Sequence, residues 1–156
     1  MRYDVGVISD THGLLRPEAV AALVGVRRIV HAGDIGSADV LAALAGIAPV
    51  TAVRGNNDRG AWATPIPETD VLDLGAAKLY VIHDVNDLAV DPRAAGFAVV
   101  ISGHSHRPRQ EDRHGVLYFN PGSAGPRRFK LPISLGRLRI EDGRVTGTLV
   151  TLEVAA

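Results

Sequence analysis

The chain has 156 residues, enough for one domain with a buried core. Lys plus Arg equals Asp plus Glu at 17 each, and hydrophobic residues make up 46%, so composition supplies no general attraction for nucleic acid or an anionic membrane and no sign of disorder. Cys is absent, which excludes disulfides and thiolate metal sites, and no apolar run approaches the roughly 20 residues that a bilayer span requires.

Met1-Arg2-Tyr3-Asp4 passes straight into an apolar run with no signal-peptide hydrophobic region, so the expected location is the cytoplasm. Residues 3–9 read as a short buried strand that leads into Asp10 and His12. Residues 17–24 read as a helix with Pro17 near its start, and 28–33 as a strand leading into Asp34. Residues 37–44 form a second predicted helix, with Ser37 as N-cap and Gly46 soon after its end. A strand over 50–55 leads into Asn56 and completes a βαβαβ unit, which requires parallel strands. Residues 56–68 are rich in Gly, Pro and polar side chains and read as a functional loop.

A hairpin is expected over 69–74 and 77–82 around Gly75-Ala76, its second strand leading into His83. Residues 91–96 suggest a short helical turn, and the strand over 98–103 leads into His104 and His106. Strands over 109–113, 116–120, 134–140 and 145–154 follow, separated by His114-Gly115, Pro121-Gly122 and Asp142-Gly143 turn signals. The second half is therefore expected to be β-rich and meander-like. Two packed sheets with helices outside, in a single domain over 1–156, is the predicted α/β arrangement.

Five apolar runs thus stop at residues able to bind a metal. In open α/β sheets ligands gather outside the carboxyl ends of the strands. Asp10-x-His12 and His104-x-His106 have i, i+2 spacing, which turns both side chains of each pair the same way in an extended segment. Two adjacent imidazoles repel when protonated, so a shared metal is the better reading of His104 and His106. Seven donors exceed the four that one tetrahedral ion takes, and a single bridging carboxylate would let seven residues make eight contacts. The donor set points to a hydrolytic site holding two metals.

Asp10-x-His12, Gly33-Asp34, Gly55-Asn56, His83 and Gly103-His104-Ser105-His106, in that order, resemble the calcineurin-like metallophosphoesterase superfamily. Gly55-Asn56-Asn57-Asp58, and Leu117 to Ser123 after the double histidine, resemble its small bacterial and archaeal single-domain phosphodiesterases. The resemblance implies a four-layer αββα sandwich of two mixed β-sheets flanked by helices. It further implies Asp10, His12, Asp34 and His106 around one ion, and Asp34 (bridging), Asn56, His83 and His104 around the other. Two departures accompany it. Larger phosphatases of the superfamily carry Gly-Asn-His, whose histidine protonates the leaving alkoxide, and here that slot is Asn57. Relatives often read His-Gly-His where this chain has His83-Asp84-Val85, which alters the substrate surroundings and leaves His83 as a ligand.

Imidazole, carboxylate and amide donors without sulfur suit two divalent transition-metal ions, Mn²⁺ first, with Ni²⁺, Fe²⁺, Zn²⁺ or Co²⁺ as alternatives. The implied reaction is attack on a phosphoester by a hydroxide bridging the two ions. Asn57 and Asp58 are the candidate catalytic side chains beside them, and Asp58 is equally suited to orienting a neighbour. With no proton donor at position 57, small phosphodiesters with good leaving groups are the expected substrates. A rival from another class is a scaffold that binds protein partners, as the similarly folded retromer scaffold subunit does; a nuclease would need a basic groove that neutral composition does not advertise. A homo-oligomer is compatible with the sequence. His31 is expected to pack or hydrogen-bond beneath the site, His114 to be solvated in a turn, and Arg127 and Arg128 to be exposed. No Gly-x-Gly-x-x-Gly follows a strand and no P-loop is present, so nucleotide cofactors lack support.

Overall fold

The computed structural model describes residues 2–154. Two five-stranded mixed sheets face each other. The first has the order β10-β9-β1-β2-β3, built from β1 (Arg2–Ile8), β2 (Arg28–His31), β3 (Val50–Ala52), β9 (Ser134–Glu141) and β10 (Arg144–Thr151). The second has the order β4-β5-β6-β8-β7, from β4 (Thr69–Asp73), β5 (Lys78–Ile82), β6 (Val99–Ile101), β7 (Pro108–Arg113) and β8 (Val116–Pro121). β1, β2 and β3 are parallel, as are β5, β6 and β8. β9 runs antiparallel beside β1, and Asp4 of β1 takes Arg137 at 3.0 Å and Arg139 at 3.1 Å across that pair.

The continuous apolar character of the central strands follows from their burial on both faces. Val5, Val7, Val30, Leu79, Val81, Val99, Ile101, Phe119 and Leu138 fill the space between the sheets. The Phe119 ring lies so close to Gly136 and Gly147 that a Cβ at either would collide with it. On the outer face of the first sheet, Ile8, Ile29 and Leu135 pack against Ala19 and Leu23 of the α1 region (helix Pro17–Ala22) and against Val40 and Leu44 of α2 (Ala38–Ala45). Outside the second sheet, Ile82, Val100 and Val116 meet Tyr80, Tyr118 and Val85, the last in a 3₁₀ turn over Val85–Asp87.

The αββα order is therefore present, with its outermost layer on the second sheet reduced to that 3₁₀ turn and the segment that follows. Residues 91–96 close one turn, the Ala95 N–H reaching Asp91 O at 3.0 Å, and then stop at Gly96, whose φ is +83°. The α2 N-cap is Ser37 as expected, although its side chain makes no capping bond. The meander expectation needs correction: after β8 the chain crosses to the first sheet, and β9 inserts beside β1. Local turn signals locate strands, whereas the choice of sheet depends on which apolar face remains uncovered, and β9 supplies Leu138 and Ile140 to the core between the sheets. No helix among the described residues is long and apolar enough to cross a membrane.

Candidate metal centre

The carboxyl ends of β1, β2, β3, β5 and β6 meet at one edge of the sandwich, and the donors stand in the first residues beyond them. Five are left-handed: Asp10, His12, Asp34, His104 and His106 have φ of 55°, 47°, 55°, 70° and 62°. That region costs a non-glycine residue about 1–3 kcal/mol and persists only where the surroundings enforce it. Here backbone bonds between neighbouring loops enforce it: Asp10 N–H to Gly33 O at 3.0 Å, His12 N–H to Asp34 O at 2.9 Å, and Gly103 N–H to His83 O at 2.9 Å. Close approach is needed as well. A Cβ on Gly55 would strike the Asp34 backbone and carboxylate, and one on Gly103 would strike the Ser9 hydroxyl.

Asp10 is fully buried. Its Oδ2 accepts from Ser9 Oγ at 2.7 Å and from the His104 N–H at 3.1 Å. Its Oδ1 has no hydrogen-bond partner and lies 3.4 Å from His106 Nε2, 3.9 Å from His12 Nε2 and 4.0 Å from His83 Nε2. His83 donates from Nδ1 to Ala32 O at 2.7 Å, so its Nε2 lone pair faces the site, also without a hydrogen-bond partner. That atom lies 3.3 Å from Asp34 Oδ2, and Asp34 Oδ2 lies 3.8 Å from His12 Nε2. His12 and His106 are stacked with their Nε2 atoms 3.4 Å apart. Buried polar atoms left unpaired cost about 1–3 kcal/mol each, and their convergence on one point is the arrangement a cation would satisfy. Two overlapping donor groups result, Asp10–His12–His106 and Asp10–Asp34–His83, with ligand atoms in each within 4.8 Å of one another.

Burial pushes the Asp10 carboxyl above its ordinary value, against the Ser9 hydrogen bond and the His83 charge. Burial acts the same way on Asp34, but His83 and the two Asn57 donors prevail and hold it well below the usual carboxylate range. Burial, followed by the Arg128 and His12 charges, lowers His106 to about 4. Burial also opposes the charge on His83, yet the adjacent Asp34 and Asp10 carboxylates raise it overall. A neutral His106 and an ionised Asp34 are the forms in which these side chains ligate metals.

His104 belongs to neither of these groups of acidic and imidazole donors, and Asn56 neighbours it. Both line a cleft of about 310 Å³ with Arg54, His83, Asp84 and Asp87. The His104 ring meets His83 edge-on at 5.2 Å, and its Nε2 lies 3.6 Å from Asp84 Oδ2. Asn57, although exposed, reaches Asp34: its N–H donates to Oδ1 at 2.9 Å and its Nδ2 to Oδ2 at 3.1 Å. Asp58 faces neither donor group. Its carboxylate accepts the N–H groups of Ile35 at 3.1 Å, Gly36 at 2.9 Å and Gly55 at 2.9 Å, tying the loop after β2 to the loop after β3. Orientation is thus the role that its contacts support.

Ser9 escaped the sequence reading as a supporting residue, whereas Asn120 and Ser123 lie in the segment whose resemblance implies a loop that positions backbone beside the site. Ser9 fixes Asp10, and Ser123 Oγ donates to the Asp10 carbonyl at 2.9 Å. Asn120 Nδ2 holds Gly103 O at 2.9 Å. Ser9 is a small hydroxyl residue beside a carboxylate, a pattern too common to single out. Beneath the site His31 Nδ1 accepts the Gly33 N–H at 3.1 Å. Its Nε2–H donates to Thr11 Oγ1 at 3.0 Å, and Thr11 donates to Ile35 O at 2.8 Å.

The chain is 34% identical over 162 residues to the probable metallophosphoesterase of Methanocaldococcus jannaschii, covering 96% of this chain and 81% of that protein. A phosphodiesterase of the same organism is 28% identical over 138 residues, covering 76% and 82%. Among solved structures, Vps29 of Entamoeba histolytica in complex with zinc superposes with a TM-score of 0.73 at 24% identity, covering 95% of this chain and 98% of that one, a likeness of fold. The profile of the calcineurin-like phosphoesterase superfamily domain matches residues 3–143, and with all seven donors at the strand ends described above, the chain belongs to that superfamily.

Proposed function

We propose that this protein is a phosphodiesterase that uses two divalent metal ions. The observation that carries the reading is the pair of overlapping donor groups, with Asp10 Oδ1 and His83 Nε2 buried, unpartnered and facing the same space. In the proposed arrangement Asp10, His12, Asp34 and His106 hold one ion, and Asp34, Asn56, His83 and His104 hold the other. Asp34 is suited to the shared position because its Oδ2 lies between His83 and His12. When bound, two such ions supply Lewis acidity toward a phosphoryl oxygen and lower the pKa of water toward about 7. The sulfur-free set of imidazole, carboxylate and amide donors is compatible with Mn²⁺, Ni²⁺, Fe²⁺, Zn²⁺ and Co²⁺, of which we propose Mn²⁺.

Asp10 and Asp34 contribute −2 against the +4 of two divalent ions, so the site retains a positive surplus for an anionic phosphoester. The side chains then decide which esters suit it. Asn57 cannot give up a proton at neutral pH, and its amide is engaged with Asp34. The leaving oxygen therefore departs without a donor at that position, which favours aryl or nucleotide-derived phosphodiesters over alkyl monoesters. The phosphodiesterase of Methanocaldococcus jannaschii supports the same class.

The test is a chemically diverse phosphoester panel turned over by protein reconstituted with each candidate metal, with bound metal quantified. Aryl diesters are expected to be the best substrates at two ions per chain. One ion per chain at saturation would remove the two-metal arrangement, and an alkyl monoester as best substrate would remove the leaving-group argument. Full loading with no turnover would support the scaffold reading instead.

A further inference from the structure

The loop between β8 and β9 carries features that the metal centre does not use. Its base is closed by a bridge between Ser123 and Ile133 and by the Ser134 N–H on Ser123 O at 2.9 Å. It is anchored to the site by Ser123 Oγ on the Asp10 carbonyl, by the Ala124 N–H on Ser9 O at 3.1 Å, and by Arg16 Nε on Gly125 O at 3.2 Å. Gly125 lies so close to the Asp10 and Thr11 carbonyls that a Cβ there would collide. Beyond this fixed base Arg127-Arg128-Phe129-Lys130 is exposed throughout. Phe129 is 88% exposed and held at φ +54°, a conformation that is a genuine outlier for a bulky residue. Arg127, Arg128 and Lys130 make no ion pair among the described residues, and residues 121–133 contain no carboxylate side chain.

We infer that this loop selects nucleotide-derived phosphodiesters, the base stacking on Phe129 and the phosphate or ribose oxygens meeting Arg127, Arg128 and Lys130; the inference rests on the phosphodiesterase reading. An open aromatic face accepts any base, and flanking guanidinium groups suit phosphate oxygens. A membrane surface is the weaker occupant. One aromatic side chain and three cations without an amphipathic helix give only marginal adsorption, and the loop is anchored at the reaction site rather than on a separate face.

Two substrates that share the scissile bond and leaving group decide it: adenosine 5′-(4-nitrophenyl phosphate) and methyl 4-nitrophenyl phosphate. The ratio of their kcat/KM values is measured for metal-loaded wild type, Phe129→Ala and Phe129→Trp. Wild type should prefer the adenosyl ester, Phe129→Ala should lower the ratio about tenfold, and Phe129→Trp should keep it. An equal ratio in wild type and Phe129→Ala overturns the inference. If wild type cleaves neither ester with any metal, the phosphodiesterase reading fails, and calorimetric binding of AMP decides the loop by itself. Binding weakened by Phe129→Ala sustains the nucleotide site, and absence of binding overturns it. Cosedimentation with phosphatidylserine vesicles that depends on Phe129, with AMP binding unchanged, overturns it in favour of a membrane.

Discussion

Asn57 fills the slot where larger relatives are expected to carry histidine, and both of its nitrogen donors reach Asp34, at 2.9 and 3.1 Å. Proximity in sequence to the proposed ligand Asn56 suggested a side chain facing substrate; the structure gives it a carboxylate to hold. Hydrogen bonds that orient a metal-binding carboxylate are typically worth about 10–100-fold in affinity. Asn57→Ala should therefore weaken metal binding by about that factor in a chelator competition titration, with stability nearly unchanged because residue 57 is exposed. Unaltered affinity with reduced turnover would instead put the amide against substrate. Asp34→Asn should go further and weaken both proposed ion positions, which elemental analysis after dialysis reads directly.

The loops are the elements on which the site depends, and Asp58 joins two of them. Its carboxylate serves three amides, of which those of Ile35 and Gly55 are buried and would cost about 1–3 kcal/mol each if left without an acceptor. Asp58→Ala should lower unfolding stability by about 3 kcal/mol in urea titration, with Asp58→Asn recovering part of it; a change below about 0.5 kcal/mol would show that water replaces the clamp. Nothing in Asn56-Asn57-Asp58 announced this division of labour, since the three amides lie in segments that only the fold brings together. The strands themselves were legible, because apolar runs such as 3–9 and 78–82 stop at a polar residue. The left-handed turns that aim Asp10, Asp34 and His104 were not. Adjacent glycines hint at them only for Asp34 and His104, and a lone Gly-Asp reads equally well as an ordinary turn.

Across the whole molecule, acid should act through a buried imidazole. His31 is wholly buried and neutral, its Nδ1 occupied by the Gly33 N–H, and burial first, then the His83 charge, lowers it from 6.5 to about 3. Above about 6.5 folded and unfolded states bind the same number of protons here. As pH falls from there toward about 3 only the unfolded chain gains one, so stability declines by at most about 1.4 kcal/mol per pH unit from this group. Urea midpoints between pH 7 and 4.5 should fall accordingly, and His31→Gln should flatten that dependence even while lowering stability overall. An unchanged slope would assign acid sensitivity elsewhere. The order of assembly is set by a different feature, the pairing of β1 with β9. β1 is the centre of its sheet, yet one of its two neighbours spans Ser134–Glu141. Asp10 and His12 consequently precede β9 in synthesis but acquire their final geometry only once Ser134–Glu141 has been made. Nascent fragments ending before β9 should capture no metal with native affinity, so loading follows synthesis instead of accompanying it.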